Sequence, residues 1–341
     1  MTTTRRVRQA LTIVSFVGLG ASTVAAQSKT GTTTAAFLGI EPSARTAAVG
    51  NAGVALREGI DAVYFNPGAI GRLHRSALLF THSPWYADIQ YNYAAGALPV
   101  GGWGTLFASL TALDSGEIAV RTVEQPHGTG ERYTASDVAV GLGFGRQVTE
   151  RFSTGFQLNY VSQTIWHTSQ SFVTFNIGTV YEISSSGLAI GSAISNAGTS
   201  SRYAGQDLAI QFDNDPDTFG DNSALPGEQL TDSFGVPLLF RVGISYPYQT
   251  SPHGRLLLML DALHPNDNAE SVNAGMEWTW QDALSLRGGY QTLFQSDSDL
   301  GLTFGLGLKH AMRANHFRFD YAWAGHERLN ETHRFTLILE L

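Results

Sequence analysis

Cysteine is absent from the 341 residues. Its absence excludes a disulfide framework, a thiolate metal site, a cysteine nucleophile and a lipoprotein anchor. Charge is also scarce, since charged residues make up 15% of the chain against about 25% in a typical soluble domain. The net charge of −8 argues against nucleic-acid binding, which needs a basic surface.

The N-terminus has the three parts of a secretory signal peptide. Arg5, Arg6 and Arg8 form a positive region, residues 11–20 form an apolar region, and small residues end at Ala26. We predict cleavage after Ala26. An amphipathic first helix is the alternative, but the apolar stretch is continuous, not periodic. Loss of the three arginines would take the net charge from −8 to −11.

One uncharged stretch, residues 93–110, is long enough to cross a bilayer as a helix. Pro99, Gly101 and Gly102 lie in its middle, and β-forming residues flank them. Two strands joined by a tight turn explain the stretch better than a helix.

Alternation of apolar and polar residues recurs along most of the chain. Leucine and phenylalanine alternate with glycine, threonine and lysine over residues 300–309, and Tyr91 and Tyr93 alternate with Gln90 and Asn92. The apolar face, tyrosines included, is expected to face lipid. The predicted strands are residues 76–83, 86–98, 102–113, 134–147, 152–166, 169–183, 187–196, 237–247, 254–263, 270–280, 283–293, 300–312, 315–325 and 331–341.

This pattern predicts an all-β, antiparallel, outer-membrane β-barrel of about fourteen strands. A soluble β-sandwich also alternates, but here aromatic residues lie near the strand ends, as in membrane-interface girdles. The last strand runs to Leu341, as in barrels recognised by a C-terminal strand. The two longest connections, residues 114–133 and 197–236, both follow odd-numbered strands, as extracellular loops should.

Residues 27–75 do not alternate, and they predict short helices and tight loops. Irregular backbone is tolerated at membrane depth only inside a lumen. We therefore expect three parts: a signal peptide (1–26), an N-terminal hatch or plug inside the barrel (27–75) and the transmembrane barrel (76–341). Gly301, Gly305 and Gly307 are expected to face inward and leave room for the hatch.

The run AFLGIEPSARTAAVGNAGVALREGIDAVYFNPGAIGRL resembles the start of the PorV/PorQ family, relatives of the FadL fatty-acid transporters. Asp61, Asn66 and Pro67 match the family's acidic residue and Asn-Pro motif, whereas residues 68–70 depart from its Ala-Gly-Leu. The resemblance implies that this segment is the hatch of a fourteen-stranded barrel. An ordinary turn before the first strand is the alternative.

No catalytic or cofactor motif stands out. The chain lacks a Gly-x-Ser-x-Gly elbow and a His-Glu-x-x-His motif, so we expect neither an enzyme nor a cofactor. His310, His316 and His326 could meet, but rim histidines are commoner. The alternating aspartates of residues 213–221 could bind Ca²⁺, although the EF-hand pattern fails. Several charged residues are expected to face the lumen and to pair there: Asp88, Arg255, Asp261, Arg287, Lys309, Arg318 and Asp320.

Two functions follow from the resemblance, both in the outer membrane and in contact with its lipid. The main hypothesis is type IX secretion or surface attachment, with secreted proteins or translocon components as partners. The alternative is FadL-like transport of hydrophobic small molecules. The long-loop residues Tyr203, Phe212, Phe219 and Phe234 suit either a partner or a ligand. A kinked strand that opens laterally would favour transport, and the glycines of residues 141–145 permit one.

Overall fold

The protein is a closed antiparallel barrel of fourteen strands in a computed structural model. The structure describes residues 30–57, 59–183, 187–218, 220, 224–295, 298–313, 315–329 and 331–341, so the predicted signal peptide lies outside it. The barrel strands are β1 (Ala77–Pro84), β2 (Gln90–Pro99), β3 (Thr105–Asp114), β4 (Ala135–Gln147), β5 (Phe152–Ile165), β6 (Thr168–Glu182), β7 (Ala189–Gly198), β8 (Leu239–Ser251), β9 (Gly254–Pro265), β10 (Ser271–Trp280), β11 (Leu284–Leu293), β12 (Leu300–Met312), β13 (Asn315–His326) and β14 (Thr332–Glu340).

Each strand pairs with its neighbour in sequence, and the first pairs with the last. Closure joins β1 to β14 in antiparallel register from Ala77 opposite Glu340 to His82 opposite Phe335. A closed barrel leaves no strand edge unpaired, which satisfies the backbone without water. The predicted fold class is therefore confirmed. Among the described residues no helix is long and apolar enough to cross a bilayer.

The alternation predicted from the sequence sorts the side chains between two environments. On β12, Leu302, Phe304, Leu306 and Leu308 point outward and are about half exposed, whereas Thr303 and Gly305 are buried. The outward residues form the apolar surface that lipid covers.

Strand β2 is an exception to the predicted pattern. Residues 86–88 form a turn, not strand, with left-handed backbone at Ala87 and Asp88. Tyr91 and Tyr93 are buried inside the barrel and Asn92 points outward. The expectation that these tyrosines face lipid is wrong, because they pack against chain that fills the lumen, where the Tyr91 hydroxyl donates to Ile40 O (3.0 Å).

The N-terminal segment fills the lumen. It comprises residues 30–57 and 59–76, which we call the plug, and contains one α-helical turn (Ala44–Ala48) and three 3₁₀ turns (Ala36–Gly39, Ile60–Ala62 and Pro67–Arg72). Thr33 forms a bridge with Gly235 at the end of the barrel with long loops, and the plug joins β1 at the other end. Its small side chains, including Ala44, Ala47 and Ala48, are buried against the wall.

Wall glycines admit the plug backbone. A Cβ at Gly191, Gly275 or Gly289 would overlap main-chain atoms of Val54, Val49 or Gly50. Gly305 lies against Ala48, as predicted, whereas the nearest atoms to Gly301 belong to Tyr290 and those to Gly307 are charged side chains.

The connections differ in length at the two ends of the barrel. The long ones follow β3 and β7, and each contains a small hairpin: Ile118–Ala119 with Arg132–Tyr133, and Ala209–Phe212 with Leu225–Glu228. Connections after even-numbered strands are short. In outer-membrane barrels the short turns are periplasmic, and we use that orientation below.

Candidate functional site: the plugged lumen

The Asn-Pro motif fixes the plug to the wall. Asn66 is fully buried, and its Oδ1 accepts from Gly68 N (2.9 Å) as the cap of the turn that begins at Pro67. Its Nδ2 donates to Val54 O (2.8 Å) and to Thr179 O of β6 (2.9 Å). Proline suits the first position of such a turn because its φ is already fixed. One side chain therefore joins two plug segments and the barrel.

Asp61, the third motif residue, belongs to a closed ring of six charges. Asp61 pairs with Arg45 (3.3 Å) and with Arg318 (2.8 Å). Arg45 continues to Glu277 (2.8 Å) and Glu277 to Arg287 (2.6 Å). The last member of the ring is the Asp320 carboxylate, which is shared by Arg287 (2.7 Å) and Arg318 (2.8 Å).

This ionic ring has no net charge and links the plug to the wall. Arg45 and Asp61 come from the plug, and the other four members come from β10, β11 and β13. The Asp61 side chain is 0% exposed. Burial alone would raise its pKa, but the guanidinium groups of Arg318 and Arg45 hold the pKa of Asp61 below its ordinary value. Gly307 leaves space for the ring, since a Cβ there would meet Asp320 and Arg287.

Above the ring, two buried arginines face the plug. The guanidinium of Arg241 (β8) lies over the rings of Tyr64 (5.6 Å) and Phe65 (5.0 Å). Arg334 (β14) lies over Trp85 (4.8 Å) and 3.7 Å from Glu41. Both side chains are nearly inaccessible to solvent, and the Nε of each has no hydrogen-bond partner among the described residues. Aromatic faces supply part of the stabilisation that water would give.

The predicted loop residues lie at the extracellular end, but they do not form one site. Phe212 is exposed on the 209–212/225–228 hairpin, on the same face as Ile210 and opposite Leu225. Tyr203 is half-buried and its carbonyl accepts from Thr231 (2.8 Å). Phe234 is exposed and bridges to Ser201. Phe219 lies outside the described residues.

Other predicted groups are dispersed. His310 and His316 lie near one end of β12 and β13 and His326 at the opposite end of β13, so the three histidines do not meet. Among the described residues no three histidine or acidic side chains form a metal-binding group, and Asp221 of the predicted Ca²⁺ loop lies outside them.

Of the predicted inward charges, three belong to the ring and the remainder are spread along the lumen and its mouths. Asp261 accepts from Val54 N (2.9 Å) and Lys309 pairs with Asp282 (3.1 Å). Asp88 lies in the β1–β2 turn, not in the lumen. Sequence reasoning missed Arg45, Glu277, Arg241 and Arg334. Glu277 was detectable, because it alternates with the outward Met276 and Trp278.

The glycine-rich part of β4 does not open the wall. Residues 141–145 pair without a break to β3 and to β5. Register breaks lie elsewhere, at β6–β7 and β10–β11 for example. At each of these an inward asparagine replaces the lost backbone partner: Asn176 Oδ1 accepts from Asn196 N (2.7 Å), and Asn273 Oδ1 accepts from Thr292 N (2.8 Å).

Comparison with known proteins identifies the fold. No protein-family model matches the sequence, and no curated protein sequence matches it. The structure is similar to the Pseudomonas putida toluene transporter TodX (TM-score 0.54, 12% identity, 88% of this chain and 98% of that one). It is also similar to a Pseudomonas aeruginosa FadL homologue (0.51, 11%, 88% and 98%) and to the monoaromatic hydrocarbon channel CymD (0.54, 12%, 88% and 96%). The chain therefore has the fold of FadL-type outer-membrane barrels, and no comparison points to the PorV/PorQ family.

Proposed function

We propose that the protein is a channel that admits hydrophobic small molecules through the outer membrane. The observation that carries the proposal is the plugged lumen within a FadL-type barrel. Two of the similar structures are described as a toluene transporter and a monoaromatic hydrocarbon channel, and their likeness covers nearly the whole of each chain. An open, water-filled lumen would suit hydrophilic solutes instead.

The surfaces of the molecule support this function. The exposed apolar side chains of Ile210, Phe212 and Leu225 offer a hydrophobic solute a first contact at the extracellular end. Below them, Phe37 and Leu38 of the plug pack with Phe172 and Val236 in an apolar cluster. A solute that passes this cluster must displace the plug, because small plug residues such as Ala44, Ala47 and Ala48 pack against the wall and the plug backbone lies against wall glycines.

Uptake by cells provides the test. We expect cells that produce the protein to take up radiolabelled toluene or oleate faster than cells with empty vector, and to take up sucrose no faster. Equal uptake of the hydrophobic solutes with and without the protein would refute the proposal.

An engineered disulfide tests the role of the plug. Thr336 Oγ1 lies 2.9 Å from Ala44 N, so Ala44→Cys with Thr336→Cys places two thiols between helix and wall, in a chain without other cysteines. We expect oxidation to stop hydrophobic uptake and reductant to restore it. The two single-cysteine variants are the matched controls, and they should respond to neither treatment.

Type IX secretion remains the second candidate, because the exposed apolar hairpin suits a protein partner as well as a solute. Mild-detergent extraction from the native outer membrane separates the two. Recovery of the protein alone with bound lipid supports the channel. Stoichiometric recovery with a large translocon barrel or secreted proteins supports secretion.

A further inference from the structure

A cavity of about 470 Å³ opens at the periplasmic end of the barrel, between the plug and strands β9–β14. Its inner end is the ionic ring, of which Arg45, Glu277, Arg287 and Arg318 reach the cavity. The rim contains Arg72, Arg75, Arg255 and Lys309, together with Asp282 and Glu340. Plug docking accounts for the four ring members, but neither docking nor transport of a neutral hydrocarbon explains the cationic rim.

Positive charge dominates this surface. Seven arginine or lysine side chains line the cavity against three carboxylates. The remaining ring carboxylates, those of Asp61 and Asp320, are 0% exposed and shared by arginines. The cavity therefore presents more cationic than carboxylate groups, because Asp61 and Asp320 are not part of its lining.

Two rim cations are free to bind a ligand. Arg255 lines the cavity from β9 and is exposed, and its side chain makes no ion pair or hydrogen bond with the other described residues. Within the described part of the chain the Lys309 ammonium pairs only with Asp282, whose side chain is 73% exposed. Such an exposed pair contributes little energy, so an incoming anion can replace Asp282.

The inner wall is already organised for an oxyanion. The Arg287 side chain is 1% exposed and is held by Glu277 and Asp320, which fixes the plane of its guanidinium. Each guanidinium has five N–H donors in a rigid fork, and Arg287 uses two of them in the ring. Arg287 in this way holds the ring rigid, while Arg45 and Arg318 keep 12% and 18% of their side chains exposed and offer guanidinium groups that match phosphate or carboxylate oxygens.

We propose that this cavity is a binding site for a small periplasmic oxyanion, a molecule that carries phosphate or carboxylate groups. The recessed shape favours a small ligand over a protein segment, since cavities of roughly 300–1,000 Å³ hold small molecules. The site is independent of the proposed transport function, because it lies at the far side of the plug from the extracellular entrance.

Calorimetric titration of the full-length protein in neutral detergent tests the site, with inorganic phosphate and citrate as probes at constant ionic strength. We expect a dissociation constant on the order of 1 mM or below for at least one probe. Preference for phosphate or for citrate identifies the ligand group. The absence of binding by both probes up to about ten times that concentration refutes the proposal.

Rim variants locate the binding. We expect Arg255→Gln with Lys309→Gln to weaken binding about tenfold or more, since two charge-assisted contacts are lost. The single substitution Arg255→Lys keeps the positive charge and should retain most of the binding affinity. Arg151→Gln is the matched control, because Arg151 is an exposed arginine of the periplasmic β4–β5 turn outside the cavity. Equal weakening in the control, or unchanged binding in the double variant, contradicts the assignment.

Discussion

Substitution of Asp61 by asparagine removes one charge from the ionic ring with little change in shape. Three buried or partly buried arginines would then share two carboxylates. Loss of one partner from a buried ion pair costs about 3–5 kcal/mol. Arg45 and Arg318 retain 12% and 18% side-chain exposure, so water offsets part of this cost and we expect about 3 kcal/mol.

The cost falls on plug docking, because two ring members belong to the plug while the barrel keeps all its strand pairs. A loss of about 3 kcal/mol raises the population of undocked plug about 100-fold. Hydrogen–deuterium exchange of peptides from residues 44–57 measures that population, since exchange follows local opening. Barrel peptides from β4 to β6 should exchange at the wild-type rate.

Two further variants refine this prediction. Asp61→Asn combined with Arg45→Gln restores equal numbers of positive and negative groups in the ring. We therefore expect this double variant to lose less free energy of plug docking than the sum of the losses in the two single variants. Glu117→Gln breaks the exposed pair with Arg132 and should change exchange little, because surface pairs contribute about 0–1 kcal/mol. Wild-type exchange in the Asp61→Asn plug would refute the view that the ring holds it.

Acid should loosen the wild-type plug in the same way. The pKa of Asp61 is lower in the folded protein than its ordinary value. The contribution of Asp61 to plug docking is therefore complete above about pH 4 and is lost as the pH falls through the lowered pKa. After correction for the intrinsic pH dependence of exchange, wild-type plug peptides should lose protection in that acid range and Asp61→Asn should lose less.

Three other predictions concern the plug and the wall. Gly289→Ala should weaken plug docking by about 1–3 kcal/mol, because a Cβ at this position would overlap Gly50. Its outward neighbour Gly288 has no atom nearer than 3.8 Å to an added Cβ, so Gly288→Ala should leave docking unchanged. Hydrogen–deuterium exchange of plug peptides compares the two variants. Asn66→Ala should weaken plug docking by about 2–3 kcal/mol, since it leaves buried carbonyl groups without donors. Plug peptides of this variant should therefore exchange faster than those of Gly288→Ala. Leu306→Arg places a charge on the lipid face and should reduce folding into liposomes by about 2–4 kcal/mol, measured by equilibrium refolding; wild-type stability would mean that this face is not in lipid.

Strand positions were predictable because a barrel wall repeats one local rule. Each residue of β12 either contacts lipid or faces the lumen, so the sequence alternates and its period of two reveals the strand. The short turns and long loops then follow from the strand count. Nothing nonlocal is needed for this part of the fold.

The faces of β2 were not predictable by the same rule. Tyr91 occupies the position in the alternation that an outward, lipid-facing residue would occupy. The plug, however, provides a second apolar environment inside the barrel. Alternation gives the period of a strand and leaves the direction of each face open wherever both environments are apolar. The plug itself obeys no period, and its path depends on wall glycines far away in sequence.

The ionic ring shows most clearly where sequence reasoning ends. Its members span residues 45 to 320. Arg318 and Asp320 are the contacting pair that is closest in sequence. The sequence predicts every strand that contributes to the ring, and it predicts that three of the ring's wall residues face inward. The ring was still not predictable, because which inward charges meet depends on the stagger of the strands and on the depth at which Arg45 and Asp61 lie in the lumen. Since the Asp-x-x-x-x-Asn-Pro spacing sets that depth from the plug side, the acidic residue and the Asn-Pro turn act together. Asn66 fixes the backbone to β6, while Asp61 pairs with Arg318 of the opposite wall and with Arg45 of the plug.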